Sequence, residues 1–178
     1  MKTKQIILCT LMVLTSCVAV FLLTPAVMAK DEKPAMLSPM ESKFIQEAAS
    51  AGMAEVKMAE LAGKKAEAKD IKAYGMMIAK DHGMANEELK MLAAQKGVLL
   101  SGKKEKEQME TYQKLEAAEG MVFDKMFLTA MTKGHETDLQ SFKKVSGEAK
   151  DADLKMYVDK MLPTLAAHHE KAKDLMPK

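Results

Sequence analysis

Four stretches of this chain repeat their apolar residues at helical spacing for roughly seven turns each, and none alternates at the two-residue period of a strand. A chain patterned this way carries four amphipathic faces, which can be buried only against one another. The first stretch opens with Ser38-Pro39-Met40-Glu41: a serine to cap, a proline at the first helical position and a glutamate at the third, the signature of a capping box. Phe44, Ala48, Gly52, Val56 and Ala59 then form one stripe, and Gly63 marks an expected end, so the spacing predicts a helix over about residues 39–62.

A short turn, Lys64-Lys65-Ala66-Glu67, leads into a second helix carrying Ile71, Tyr74, Ile78, Leu89 and Leu92 up to Gly97. So short a turn permits only an antiparallel neighbour. Residues 98–120 form a long connection with a charged short helix over about 104–117, whose Met109, Tyr112 and Leu115 give it one apolar edge. The third long helix carries Phe123, Phe127, Met131, Leu139 and Phe142 and ends near Ser146-Gly147. The fourth starts at Asp151 as its cap and carries Leu154, Val158, Met161, Leu165, Ala172 and Leu175. Two tight turns and one long connection between long amphipathic helices predict an all-α four-helix bundle.

Residues 1–29 differ in kind. Lys2 and Lys4 precede an apolar run from Ile6 to Leu23, and Val27 and Ala29 supply the small residues of a cleavage site, so this segment reads as an export signal. The expected organisation is a signal peptide over 1–29, a linker over 30–37 carrying Pro34, and the bundle over 38–178. The expected location is the periplasm or cell envelope, with no membrane span after cleavage. Two alternatives are a lipoprotein modified at Cys17, since Leu14-Thr15-Ser16-Cys17 resembles a lipobox, and an uncleaved membrane anchor. The apolar run continues past Cys17, which argues against cleavage there.

Cys9 and Cys17 both lie in that segment, so the mature chain has no thiol, and disulfides, cysteine nucleophiles and zinc–thiolate sites are excluded. Without Lys2 and Lys4 the 27 basic residues become 25, equal to the 25 acidic ones. All are lysine, which removes the planar guanidinium favoured for phosphate, and no nucleic-acid partner is expected. Nothing matches a sharp catalytic motif, so the chain reads as a binding or structural protein rather than an enzyme.

The four histidines carry the remaining signal. His82 follows Ile78 by four residues, His135 follows Met131 by four, and His168 follows Leu165 by three, so three imidazoles fall on inward stripes of three helices. His169 falls at the margin of its stripe. Two carboxylates pass the same arithmetic: Glu55, within the apolar face of the first helix, and Asp124, three turns before His135. Glu55, His82, Asp124, His135 and His168 are therefore the candidate ligands of a transition metal, since a bundle interior offers mixed oxygen and nitrogen donors.

Depth constrains the idea. In an up-down-up-down bundle Glu55 and the three histidines spread over about 13 Å along the axis. If the long connection is a crossover, His82 pairs in depth with His135, and Glu55 with His168. The sequence leaves both arrangements open. A full di-iron centre is not expected, because the residues three before His82, His135 and His168 are Ala79, Thr132 and Leu165, where that motif needs glutamate. The competing expectation is that each imidazole only fixes packing, hydrogen-bonded across helices to Glu55, Asp81, Asp124 or Asn86.

Fifteen of the 18 methionines lie beyond Ala29. Met91, Met131 and Met161 sit at core spacing, so core filling is the expectation, with thioether binding of copper(I) as the alternative. Pro163, inside the fourth helix and five residues before His168, is expected to bend it.

Phe44-Ile45-Gln46-Glu47-Ala48-Ala49, Gly52-Met53-Ala54-Glu55-Val56, Asp81-His82-Gly83 with Asn86-Glu87-Glu88-Leu89, Phe123-Asp124 with His135, and Leu162-Pro163-Thr164-Leu165 with His168 together resemble the bacterial family called domain of unknown function 4142. The resemblance implies an exported protein of ferritin-like four-helix fold, often labelled an outer-membrane protein, with no established activity. It makes Glu55, His82, Asp124, His135 and His168 motif positions, and His169 stands where the family has an apolar residue. Three functional expectations follow: a transition-metal-binding envelope protein concerned with stress protection, a metal-free structural or interaction module, and a methionine/histidine copper(I) carrier.

The expected mature chain begins at Lys30. Intact mass of the protein from its native envelope checks this; an uncleaved N-terminus would mean an anchor, and a diacylglyceryl Cys17 a lipoprotein.

Overall fold

A computed structural model describes residues 36–100 and 106–177, so the expected signal peptide and nearly all of the linker lie outside the described residues. Five helices follow in order: α1 (Pro39–Lys65), α2 (Lys69–Gln95), α3 (Lys106–Ala117), α4 (Gly120–Glu148) and α5 (Ala152–Leu175). Among the described residues there is no strand, and no helix is long and apolar enough to cross a membrane. The capping box at Ser38 forms as the sequence predicts, and the Asp151 carboxylate caps α5 by accepting from the Leu154 N–H. Gly97 ends α2 in the left-handed region, at φ 69°.

Gly63 does not end α1, which continues to Lys65. The reason is packing: a Cβ on Gly75 would lie 2.8 Å from the Cβ of Ala62 and 2.9 Å from the Ala59 carbonyl oxygen. The α1–α2 pair is thus brought close by the missing side chain of Gly75, and Gly63 lies inside that contact, with its backbone nitrogen 3.2 Å from where the Gly75 Cβ would stand. Higher up the same contact, the Asn86 side chain fills the space a Cβ on Gly52 would need. Pro163 lies inside α5, which runs on past it to Leu175.

Two buried carboxylates fix the topology. At one end Glu41 accepts from the backbone N–H of Lys150 and Asp151 at 2.8 and 2.9 Å, tying the α4–α5 turn to the start of α1. The end of α2 lies there too, where Lys96 bridges Asp151 at 2.7 Å and Asp153 at 2.6 Å. At the other end Asp124, in the second turn of α4, accepts from the N–H of Glu67 and Ala68 at 3.0 and 2.9 Å, which ties α4 to the α1–α2 turn. Hence the connection after α2 crosses the whole bundle, and α4 runs parallel to α2. α3 lies along that path against α1 and α4, and the Lys65 ammonium donates to the Glu116 carbonyl at its far end. Each of α1 and α5 packs on both α2 and α4, giving the ferritin-like four-helix bundle with a crossover connection.

The core is in two parts. One half gathers Phe44, Ile45, Leu89, Phe142, Leu154 and Val158; the other gathers Ile71, Tyr74, Ile78, Phe123, Phe127 and Met131. Methionine contributes less than the spacing predicts. Among the described residues, only Met58, Met131 and Met161 are buried, whereas Met36, Met53, Met76, Met77, Met84, Met91, Met109, Met121 and Met156 are exposed. Met91, at core spacing in the sequence, is 60 % exposed. The stripe of α2 narrows as alanines and His82 meet the neighbouring helices, so a residue one step off the seam stays in solvent.

Burial disfavours the Glu41 charge, but the hydrogen bonds from Asp151, Ser38 and Lys150 outweigh it and lower its pKa from 4.5 to about 2. A folded-state value below the unfolded one contributes stability above pH 4.5, lost as pH falls toward 2. Glu41→Gln is expected to cost about 1–3 kcal/mol in urea denaturation at pH 7. The gap from wild type should narrow as the pH is lowered through that window.

Candidate metal centre

Each of the four long helices presents one ionisable side chain to the same level of the bundle, between the two apolar halves: Glu55 from α1, His82 from α2, His135 from α4 and His168 from α5. All four are buried, with relative exposures of 4, 4, 0 and 3 %. The helical spacing does the local work. Ile78, Met131 and Leu165, one turn earlier on their own helices, are fully packed and fix the faces from which the imidazoles project. Tyr74 steadies α5 by donating its hydroxyl to the His168 carbonyl at 3.1 Å.

The rings converge. The His82 and His135 centroids are 5.1 Å apart, His82 and His168 5.3 Å, and His135 and His168 5.4 Å. The His82 Nε2 lies 3.2 Å from the His135 Nε2 and 3.2 Å from the His168 Nδ1. The outward nitrogens meet acceptors: the His135 Nδ1 faces the Met131 carbonyl oxygen at 2.9 Å, and the His168 Nε2 faces Asp81 at 3.1 Å. A carbonyl and a carboxylate can only accept, so in the neutral rings those nitrogens carry the protons. The inner nitrogens of His135 and His168 then both present lone pairs to the His82 Nε2. One proton there can serve one of them and not both, so at least one lone pair of this buried cluster has no proton to meet.

Glu55 completes the layer. Its Oε2 lies 2.9 Å from the His82 Nδ1 but off the N–H direction, so that this buried oxygen accepts no hydrogen bond. Its Oε1 is 3.7 Å from the His135 Nδ1. Room for the carboxylate comes from Gly134, where a Cβ would stand 2.7 Å from that Oε1. Burial lowers the pKa of all three histidines, which favours neutral imidazoles with free lone pairs, and raises that of Glu55 against the opposing pull of His135.

His82, His135 and His168 can offer three nitrogens within 4.8 Å of one another. An ion held at 2.0–2.1 Å by three imidazoles sets them about 3.3–3.5 Å apart, close to the 3.2 Å found here for two of the pairs. Two of the outward partners, the Met131 carbonyl on His135 and the Asp81 carboxylate on His168, are of the kind that orient metal-binding imidazoles. The donor set therefore fits a borderline transition-metal ion.

Asp124 is not brought to this cluster. It is three turns, about 16 Å, from His135 along α4, and both its oxygens are engaged on the α1–α2 turn. Its inward position marked a fastening rather than a ligand. His169 lies beside Glu170 at 3.4 Å, at the margin of the stripe as the spacing predicts. Depth counted from flush helix ends does not hold, since Glu55 and all three histidines meet at one level. Two acidic neighbours went unrecognised as parts of the centre. Asp81 was legible only as a packing partner, whereas Asp138, three residues after His135 and four before Phe142, sits on the same inward face, and its spacing could have marked it as it marked Glu55. Asp138 lines the same cavity as Glu55, and burial and the charge of Glu55, against the pull of His82, push its carboxyl up to about 8.

No curated protein sequence matches this chain. Among solved structures, a DUF305 fragment from Deinococcus radiodurans is similar with a TM-score of 0.70 at 10 % identity, covering 78 % of this chain and 96 % of that one. A DUF305 protein from Streptomyces coelicolor gives 0.66 at 12 % identity over 76 % and 89 %. CopM in its Cu(I)-bound form gives 0.65 at 19 % identity over 75 % and 93 %, and was also solved in Cu(II)- and silver-bound forms. At these identities the likeness is one of fold. The sequence itself matches the domain of unknown function DUF4142 over residues 26–175, and with the helical bundle and the inward motif residues in place, the chain belongs to that family.

Proposed function

We propose that this protein binds one transition-metal ion per chain through His82, His135 and His168, with Asp81 as the carboxylate that holds His168 and Glu55 as a carboxylate beside the His82 ring that balances the charge of the ion, and that it does so as an exported protein of the cell envelope. The observation that carries the reading is the convergence of three imidazole nitrogens whose outward partners leave them short of protons. A purely structural cluster would be expected to pair every buried nitrogen. A cation at their centre removes the deficit.

Copper is the first ion to test. Imidazoles bind it in both oxidation states, and the solved fold neighbour CopM carries it. Elemental analysis of the purified chain after incubation with copper, zinc, iron or manganese should give close to one ion per chain for at least one of them. At a free concentration of 100 times Kd that ion adds about 2.7 kcal/mol of stability, a rise of about 5–10 °C in Tm. His82→Ala/His135→Ala should abolish both the uptake and the rise. Gly134→Ala, which displaces Glu55 and leaves the apolar halves untouched, should weaken binding about 10-fold with the helical content unchanged. No stoichiometric uptake of any metal by the wild type would leave the metal-free structural module as the reading.

The nine exposed methionines support a second reading, a copper(I) carrier using thioethers. Met77, Met84 and Met91 follow at seven-residue steps along α2, about 10 Å apart, too far to share one ion within one chain. Copper(I) binding that survives loss of His82 and His135 but falls when Met76 and Met77 become leucine would favour this alternative.

A further inference from the structure

The imidazoles are sealed within the bundle, so an ion must have a way to reach them. On one side the Asn86 side chain of α2, one turn from His82, fills the space beside Gly52 of α1, and on another the His168 ring is covered by Asp81. The side between α1 and α4 is different. There Ala51, Ala54, Ala130 and Gly134 leave a cavity of about 320 Å³, roofed by Gln108 and Thr111 of α3. Liquid water takes about 30 Å³ per molecule, so a partly hydrated cation fits. Glu55 and Asp138 both line it, and Glu55 brings the buried Oε2 that accepts no hydrogen bond. The outer rim holds an ion pair, Lys133 to Glu107 at 2.8 Å, exposed on both sides.

Resting on the metal-binding reading above, we propose that this cavity is the route by which the ion reaches the three imidazoles, with Asp138 as the oxygen donor that first takes it from water and Glu55 as the one that passes it along the edge of the His82 ring. Moving a cation from water into an apolar wall is costly, and the side-chain oxygens of two carboxyl groups along the path stand in for the water ligands it loses. At the rim, Glu107 cancels the Lys133 charge. Removing either partner therefore has a predictable sign: without Lys133 the rim turns negative and attracts cations, and without Glu107 it turns positive and repels them.

Stopped-flow uptake of copper ion by the metal-free full chain, paired with equilibrium affinities of the same variants, tests this. Asp138→Asn is nearly isosteric and should slow uptake about 10-fold while changing Kd less than about 3-fold. Lys133→Ala should speed uptake and Glu107→Gln slow it, each by about 3-fold at low ionic strength, and both effects should vanish at 0.5 M salt, where the screening length is only a few ångströms. Circular dichroism of each variant reports its fold, and the two rim residues are exposed enough to be replaced safely. Unchanged rates in all three variants, with wild-type binding intact, would overturn the route and leave the metal site standing. An Asp138→Asn loss of affinity as large as that of the histidine variants would make Asp138 a ligand and overturn its role as a relay. Absence of copper binding by the wild type would overturn the metal reading itself, and the route with it.

Discussion

The structure turns on a thin polar layer placed across the middle of an apolar core. Glu55, His82, His135 and His168 are each almost wholly buried and divide the packed interior into two hydrophobic halves. Burying four ionisable groups is unfavourable unless each finds a partner, and the layer meets that demand only partly. The Met131 carbonyl and Asp81 take the outer nitrogens, while the inner nitrogens face one another and one Glu55 oxygen accepts nothing. A packed bundle that served stability alone would fill this level with leucine and alanine. Retaining a proton-deficient cluster where apolar packing would be more favourable is what gives the centre its functional weight.

The layer exists because the helices are held in register from both ends. Glu41 fastens the α4–α5 turn to α1, and Asp124 fastens α4 to the α1–α2 turn, each through two backbone N–H groups. These carboxylates satisfy turn donors that would otherwise be buried without partners. They also require the connection after α2 to cross the bundle. With α4 parallel to α2 and each of α1 and α5 packed on both, His135 and His168 come to the level of His82 and Glu55. Another connectivity with the same four stripes would scatter the imidazoles along the axis.

Glycine has a matching part on the helix surfaces. Gly75 brings α2 onto α1, and Gly134 gives Glu55 the space to lie against α4. The same small residues that admit Glu55 also leave the α1–α4 side loosely filled, so the carboxylate and the cavity beside it have one origin. The exposed methionines lie outside this economy of packing. Their spacing is helical, but the seams between helices are narrow, and most of them fall just off the seam.

The sequence by itself determined the all-helical fold, the two tight turns, the capping box at Ser38, the Asp151 cap and the inward faces of Glu55, His82, His135 and His168. These follow from local periodicity and local hydrogen bonding, which act over one or two turns and so leave their mark on neighbouring residues. Whether the connection crosses the bundle, and hence whether the three imidazoles meet, was decided by Glu41 and Asp124, whose partners lie 109 and 57 residues away. The sequence marks Asp124 as inward but cannot distinguish a carboxylate that ligates from one that fastens, because both are buried acids on an apolar face. Only tertiary structure supplies the partner, and only the partner decides what a buried acid or imidazole does.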